Sequence, residues 1–459
     1  MDYKKRDFTG RKVIVAGTGI SGIGAVKMLA KCGADITLYD GNDKLKEADI
    51  RLKLDGVENV KIVLGELEDS VIEANELMII SPGIPIDAPF VLRVKEKNIP
   101  VWGEIELAYV NSKGNLAAIT GTNGKTTTTS LVGAIMKNAF PDVYVVGNIG
   151  KSYADVAMDT KDDTVTVAEI SSFQLESIVD FHPDVTAVLN ITPDHLNRHY
   201  TMENYANVKM SIAKNQNKNE VCVLNYEDEI LREKAKNLKN RVVYYSSKNS
   251  LEEGICLNGD NIVMRFAGEE TTVCNVHDMN LVGIHNVENV MASVAISHFM
   301  GVSTDIIRKT IKEFKAVEHR IEYVTEKNGV VYYNDSKGTN TDASIKAIEA
   351  MSRPTILIAG GYDKGCEFDD WIKVFGDKIK LLVLMGATSK KIAETAKKYN
   401  YDKIVFADSL EEAVRLCEEN AVKGDAVLLS PACASWDMFK SYEERGNMFK
   451  DYVNNHNNL

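Results

Sequence analysis

The stretch "NLAAITGTNGKTTTTSLVGAIMKN", residues 115–138, restricts the fold more than any other part of the chain. A short apolar run, "LAAI", leads into a glycine-bearing turn, and the turn leads into a helix-forming segment. Backbone N–H groups at such a junction can turn inward, and the helix N-terminus adds partial positive charge, so the junction suits phosphate. The standard phosphate loop wants Gly where this chain has Ile119, which leaves a shorter G-x-x-G-K-T: Gly121, Thr122, Asn123, Gly124, Lys125 and Thr126, followed by Thr127. Lys125 is expected to reach the β- and γ-phosphates, and the Thr126 hydroxyl to ligate Mg²⁺.

The rest of the chain repeats this strand, turn and helix rhythm. "KVIVAG", "DITLYD" and "ELMIISPGI" alternate with amphipathic stretches; "TVTVAEISS", "VTAVLNIT" and "VCVLNYEDE" follow the phosphate loop; "VVYYNDS", "PTILIAGGYDKG", "LLVLMGAT" and "DAVLLSPACAS" close the chain. Near-continuous apolar strands predict parallel sheets covered on both faces, an α/β class. At 459 residues the chain exceeds one ordinary core. Domains of roughly 100 to 200 residues give about three, expected at 1–106, 107–316 and 317–459. A net charge of -12 predicts no general attraction to nucleic acid or acidic membrane, so an anionic substrate needs local cations. "MDYKKRDFTG" lacks the apolar core of a signal peptide, and no run of membrane-spanning length occurs; a soluble, cytoplasmic protein is expected. The seven cysteines show neither CxxC nor metal-ligand spacing and read as buried thiols.

Further motifs carry chemistry. "VAGTGISG" sets Gly17, Gly19 and Gly22 in dinucleotide-fingerprint spacing, with Asp40 at the end of the next strand. The loop serves any nucleotide diphosphate, because its glycines permit close approach of backbone and anion; a nicotinamide-dependent oxidoreductase stays open on this motif alone. "VAEISSFQLE" puts Glu169 at a strand end, and "NITPDHLNRH" puts Asp194 and His195 at the end of the next, where an open α/β sheet builds its site. "GIHNVENV" offers Asn286 and Asn289 on one helix face, able to hydrogen-bond a base edge. "EHRIE" supplies Arg320, and "YNDSKGTNTDAS" supplies Asp335, Ser336, Lys337, Thr339 and Asn340 after a strand. Lys209, in "YANVKMSIAKN", reads by composition as a solvated helix face.

Taken in order, "GTNGKTT", "GNIG", "AEISSFQLE", "NITPDHLNRH", the Tyr205-to-Lys209 spacing, "GIHNVEN", "EHR", "NDSKGTN", "GGYDKG" and "SPACASWDMFKSYEERGNMF" resemble the Mur ligase family, the ATP-dependent amino-acid-adding enzymes of peptidoglycan precursor synthesis. The shortened phosphate loop is that family's spelling. The resemblance spans essentially the whole chain and implies three domains: a Rossmann-like N-terminal domain for the UDP-linked substrate, a central P-loop ATPase domain, and a Rossmann-like C-terminal domain for the incoming amino acid. The compact first domain and the "SPACAS…F…RG" tail resemble the member that adds D-glutamate to UDP-N-acetylmuramoyl-L-alanine, and the "DNPR" stretch of diaminopimelate-adding relatives is absent.

The resemblance also implies roles. Thr126 and Glu169 would hold one Mg²⁺, and His195 with Lys209, carried as its carbamate, would serve a second. Gly121 to Thr127, Asn286, Asn289, Arg320 and Asp335 would bind ATP. Ile20, Ser21, Asp40, Gly41 and Ser81 would hold the UDP group, and Asn148, Ser171, Gln174 and His195 would face the sugar and its lactyl-alanine arm. Lys337, Thr339, Lys364, Ser435 and Tyr442 would bind the amino acid. Two departures stand out: Gly41-Asn42 replaces the family's frequent Thr-Arg, and Tyr442 stands where better-known relatives have Phe. A monomer with open and closed forms is implied. A folate-polyglutamate-type ligase lacks a preceding UDP domain, an oxidoreductase leaves the phosphate loop unexplained, and a silent nucleotide-binding protein need not keep Glu169, His195 and Lys209 together.

Overall fold

The computed structural model describes residues 7–281, 283–315 and 318–455. Among these residues the apolar runs form three sheets, built largely of parallel strands with helical connections. The first comprises β1 (Lys12–Ala16), β2 (Asp35–Asp40), β3 (Val60–Leu64), β4 (Leu77–Ile80) and β5 (Val101–Gly103), all parallel, in the order β3-β2-β1-β4-β5. The order reverses at β1, so the loops after β1 and β4 diverge around a crevice at their carboxyl ends, the usual ligand position in such sheets.

The second sheet contains β6 (Asn115–Thr120), β7 (Val143–Gly147), β8 (Val165–Glu169), β9 (Val185–Val188), β10 (Val221–Asn225), β11 (Arg241–Ser246), β12 (Gly254–Asn258), β13 (Asn261–Phe266) and β14 (Glu269–Asn275), in the order β14-β13-β12-β11-β10-β9-β6-β8-β7. Strands β12 to β14 form an antiparallel meander outside the predicted strands. Its second turn is carried by Ala267 at φ 54° and Gly268 at φ 81°, the paired positive φ of a tight hairpin.

One buried core runs from the first sheet to the second, joining Val13, Leu38 and Leu77 to Ala118, Ala168 and Val188 through Leu107 and Tyr109 of the helix Glu104–Asn111. Two acids on this helix serve the backbone across the join. Glu106 accepts N–H bonds from Val179, Asp180 and Phe181 at 2.8, 2.7 and 3.1 Å, and Glu104 accepts from Ser152 Oγ and Ala154 N, both at 2.6 Å. These contacts fit a chain that divides into one compact unit of residues up to Asp278 with Glu288–Lys312, and a second of Met279–Val287 with residues from Glu313 onward. Residues 106 and 107 lie within the helix Glu104–Asn111, and 316 and 317 lie outside the described residues.

The second unit holds β15 (Glu322–Lys327), β16 (Val330–Asn334), β17 (Thr355–Ala359), β18 (Ile379–Leu384), β19 (Ile404–Phe406) and β20 (Ala426–Leu429), in the order β15-β16-β20-β17-β18-β19. Its two faces are covered separately: Leu357, Leu382 and Leu428 pack against Trp371 and Ile392, and Ile356, Val383 and Val427 pack against Val414 and Phe449. Among the described residues no helix is long and apolar enough to cross a membrane.

Candidate active site

The phosphate loop bridges β6 and the helix Lys125–Ala139. Gly124 holds φ 86°, and a Cβ there would fall 2.3 Å from Asn289 Oδ1; this close approach and the left-handed backbone both demand glycine. The loop is laced to the segment after β9. Thr122 N donates to Asn190 O at 2.9 Å, Asn123 N to Asn190 Oδ1 at 2.8 Å, and Thr192 N to Thr122 Oγ1 at 3.0 Å. Lys125 Nζ donates to Gly121 O and Thr122 O, both at 2.8 Å, so its charge sits over the cradle.

Glu169 ends β8, in register with Ile119 of β6 and Gly147 of β7. It is buried; Oε1 accepts from Asn148 Nδ2 at 2.9 Å, whereas Oε2 has no hydrogen-bond partner. A buried carboxylate oxygen left unpaired is costly, so its position fits a cation or a donor supplied by a ligand. Thr126, also buried, opens the helix beside the loop.

The composition reading of Lys209 is corrected by the structure. The side chain is 2% exposed, lies 4.7 Å over the Tyr205 ring, and donates to Gly121 O at 2.8 Å, the same carbonyl that Lys125 uses. Burial, then the Lys125 charge, lowers its amine well below the usual lysine range. The signal available in the sequence is the Tyr205-to-Lys209 spacing, which puts ring and amine one turn apart on the helix Met202–Met210.

His195 lies beyond the end of β9, at the N-cap of the short helix Leu196–His199, with φ 53° and a side chain 48% exposed. Its Nε2 is 3.5 Å from Asp194 Oδ2 and its ring 4.8 Å from Phe173. Four residues on, His199 is buried, and burial followed by the charges of His195, Lys209 and Arg198 pushes its imidazole down to about 4, neutral at ordinary pH. Ser171 and Gln174 form a reciprocal capping box, Gln174 N on Ser171 Oγ at 3.3 Å and Ser171 N on Gln174 Oε1 at 2.9 Å.

In the first sheet, Gly17, Ile20, Ser21, Asp40, Gly41 and Ser81 line one cleft of about 610 Å³. A Cβ on Gly22 would meet Gly17 O at 1.8 Å, so the turn leaves no room for any side chain there. Asp40 serves the loop itself: Oδ2 accepts from Thr18 Oγ1 at 2.7 Å and Thr18 N at 3.1 Å, and Oδ1 from Asn42 N at 3.0 Å.

The second unit collects the remaining candidates after β16. Asp335 is buried, accepting from Ser430 Oγ at 2.7 Å and Ile321 N at 3.3 Å. Lys337 Nζ donates to Tyr442 OH at 3.0 Å, and Thr339 N donates to Lys337 O at 2.8 Å. Ser435 is buried, while Lys364 is exposed, 5.8 Å from the Trp436 ring. Asn286 is buried on the helix Ile284–Phe299, which also carries Asn289, and Arg320 follows His319 at φ 65°. The sequence reading gave Arg445 no role; it is fully buried, donating to Ser336 O at 2.7 Å and Cys433 O at 3.3 Å, and it ties the loop after β16 to the loop after β20.

Asp335 carries a pH prediction. Burial, first, outweighs the Ser430 bond and the Arg320 charge and raises its carboxyl from 3.8 to about 7. Between those values the folded chain holds a proton that the unfolded chain has lost, so this group's stabilising contribution falls as pH rises from 3.8 through about 7. In Asp335→Asn that falling limb is expected to vanish from urea unfolding at pH 5 and 8; an unchanged limb would assign it elsewhere.

Three family models match the chain: the Mur ligase MurD-like N-terminal domain over residues 11–103, the Mur ligase middle domain over 119–297, and the Mur ligase glutamate ligase domain over 319–433. The chain belongs to the Mur ligase family. Among curated relatives, a UDP-N-acetylmuramoylalanine--D-glutamate ligase of Lachnospira eligens is 56% identical, covering 98% of this chain and 100% of the relative. The same-named proteins of Lachnoclostridium phytofermentans and Clostridioides difficile are 52% and 44% identical over 97% and 98% of the chain and 98% and 99% of their own lengths. Solved Mur ligase structures share the fold at low identity. A UDP-N-acetylmuramate-alanine ligase of Thermotoga maritima has a TM-score of 0.59 at 16% identity, covering 97% of this chain and 99% of that one. A pseudomurein peptide ligase type C of Methanothermus fervidus gives 0.59 at 19% over the same shares.

Proposed function

We infer that the chain is an ATP-dependent ligase that adds D-glutamate to UDP-N-acetylmuramoyl-L-alanine in peptidoglycan precursor synthesis, releasing ADP and phosphate. The observation that carries the reading is the Gly121–Thr126 cradle with two lysines on one carbonyl beside a buried, half-paired Glu169. The relatives' names and full-length identity support the choice of substrates. In this reading the γ-phosphoryl group passes to the terminal carboxylate of the UDP-linked substrate, and the D-glutamate amine displaces phosphate from that acyl phosphate to form the amide. Such transfer depends on positioning and on neutralising charge, which is the work assigned to Lys125 and the loop N–H groups.

Mg²⁺ would supply charge neutralisation for the phosphates. Glu169 and Thr126 fit one ion, because Glu169 brings a buried oxygen without a partner. Lys209 fits a second, with His195, only as a carbamate. Its depressed basicity leaves a free amine, which attacks CO2 and releases a proton to give an anionic oxygen ligand suited to a hard cation. Carbamylation also takes the Lys209 amine off Gly121 O, the carbonyl that it shares with the Lys125 ammonium. Intact mass at neutral pH with bicarbonate is expected to show the added CO2, lost on acidification and absent in Lys209→Ala. Activity should fall in CO2-depleted buffer and return with bicarbonate; CO2-independent activity and no mass change would refute the carbamate.

The cleft lined by Ile20, Ser21, Gly41 and Ser81 is assigned to the UDP group, with Asn148, Ser171 and Gln174 toward the sugar. Asn286, Asn289, Arg320 and Asp335 are assigned to the nucleotide, and Lys337, Thr339, Lys364, Ser435 and Tyr442 to D-glutamate. The division of labour follows three domains at 1–106, 107–316 and 317–459, in a cytoplasmic monomer. The test is phosphate release and product mass with ATP, Mg²⁺ and UDP-N-acetylmuramoyl-L-alanine. Product with D-glutamate and none with L-glutamate or no amino acid is the expected result; ATP turnover indifferent to both substrates would overturn the reading.

A further inference from the structure

Between the cleft of the first sheet and the loop carrying His195 runs a half-buried polar bridge to which the motif reading gives no role. Arg198 Nη2 donates to Ile84 O at 2.8 Å and to Glu176 Oε2 at 2.5 Å, and Nε lies 3.2 Å from both Glu176 oxygens. The two side chains keep only 12% and 8% of their exposure. A pair so little exposed is costly to break because the survivor is left charged and poorly solvated, so it holds together the segments it joins.

At one end it joins the substrate cleft. Ile84 N donates to Ser81 O at 3.0 Å, closing the turn after β4, and a Cβ on Gly17 would meet Ser81 Oγ at 2.6 Å and Ile84 Cδ1 at 3.4 Å. The turn therefore presses on the glycine loop, and both Ser81 and Ile84 line the cleft. At the other end Arg198 shares a single helical turn with His195, held by Arg198 N and His199 N on His195 O at 2.9 and 3.0 Å. The turn is short and is bounded by the positive-φ residues His195 and Tyr200, so the backbone positions of the two side chains are tied together. The Phe173 ring fills the angle, 5.0 Å from the guanidinium and 4.8 Å from the His195 ring.

A second branch reaches the phosphate loop. Glu176 Oε1 is 3.4 Å from His199 Nδ1, and the His199 ring lies 5.1 Å from Tyr205. Tyr205 OH is 3.2 Å from Thr122 Oγ1, and its ring carries Lys209 Nζ. Packed groups with few free rotations thus connect the cleft to His195, Lys209 and Thr122.

We propose that Arg198 and Glu176 are positioning residues that couple filling of the UDP-substrate cleft to the placement of His195 and the phosphate loop. The proposal rests on the ligase reading for the identity of the ligand. It assigns the pair to neither substrate nor nucleotide contact; its effect is on their register, and a misplacement of about 1 Å at reacting groups costs roughly 100-fold in rate. The exposed Tyr200 OH–Asp87 Oδ2 bond, 2.7 Å long, spans the same gap at the rim and contributes little because water competes for it.

A chain of contacts does not by itself establish coupling, so the test measures transmission directly. Hydrogen exchange is followed with and without UDP-N-acetylmuramoyl-L-alanine, in the absence of ATP, for wild type, Arg198→Lys, which keeps the charge and loses the fork, and Glu176→Gln, which keeps the shape. Wild type is expected to gain protection around 17–22 and 81–84 and also around 190–200. In both variants protection is expected to stay in the first two segments. The variants' kcat should fall by about 10-fold to 100-fold, with KM for ATP and for the UDP substrate within about threefold, the sign of lost register rather than lost binding. A purely structural role predicts a lower melting temperature with transmitted protection intact. Protection at 190–200 persisting in both variants, or kcat within about twofold of wild type, would overturn the proposal. Wild type that binds the UDP substrate but makes no product would instead count against the ligase reading, because the exchange measurement does not require turnover.

Discussion

Replacing Lys125 with Ala is expected to lower kcat for amide formation by roughly 1000-fold, the scale of removing a preorganised charge from a phosphoryl-transfer site. The loss should fall on kcat and kcat/KM together, because phosphate charge develops most in the transition state. A second effect follows from the shared carbonyl. Lys125 Nζ and Lys209 Nζ both lie 2.8 Å from Gly121 O, and the Lys125 charge is one cause of the depressed Lys209 basicity. Without Lys125 the amine regains part of its proton affinity, so less free amine is available to CO2 and the carbamate mass should diminish at a given pH. Stopped assays of phosphate and product, with intact mass on the same samples, check both. Lys125→Ala within about tenfold of wild type would remove this lysine from the chemistry.

Gly124→Ala is expected to lower both stability and nucleotide binding. An L-residue at φ 86° is strained by about 1 to 2 kcal/mol. The added Cβ, 2.3 Å from Asn289 Oδ1, must also displace a buried amide whose lost hydrogen bonding costs about 1 to 3 kcal/mol. Together these give roughly 2 to 5 kcal/mol in urea unfolding. Gly83→Ala is the control, since a Cβ there meets nothing within 4 Å and the φ is ordinary; it should leave the unfolding midpoint nearly unchanged. If the two variants melt alike, the steric account of the loop fails.

The turns and strand ends that carry many of the candidate residues were legible because their signals are local. Glycines at 17, 22, 121 and 124 mark strand-to-helix turns, and each is required by a contact or a positive φ in the folded chain. Glu169 was placed at a strand end by the apolar run before it, and it ends β8. Lys209 was not legible from composition: a lysine in a polar helix looks solvated, and only the packing of that helix against the phosphate loop buries it. Arg445 and Arg198 escaped for the same reason, because each bonds to partners far along the chain, 109 residues away at Ser336 and 114 residues away at Ile84.

By itself, then, the sequence determined the α/β class, the order of strands and turns, the phosphate cradle and the family to which the chain belongs. Those features depend on apolar periodicity and on backbone conformations that few residue types adopt, both readable within a few neighbouring positions. The tertiary structure alone decided which charges are desolvated: the lowered amine of Lys209, the raised carboxyl of Asp335 and the unpaired oxygen of Glu169. Desolvation depends on how much of the chain closes over a group, and groups distant in sequence supply that cover, so no local pattern encodes it.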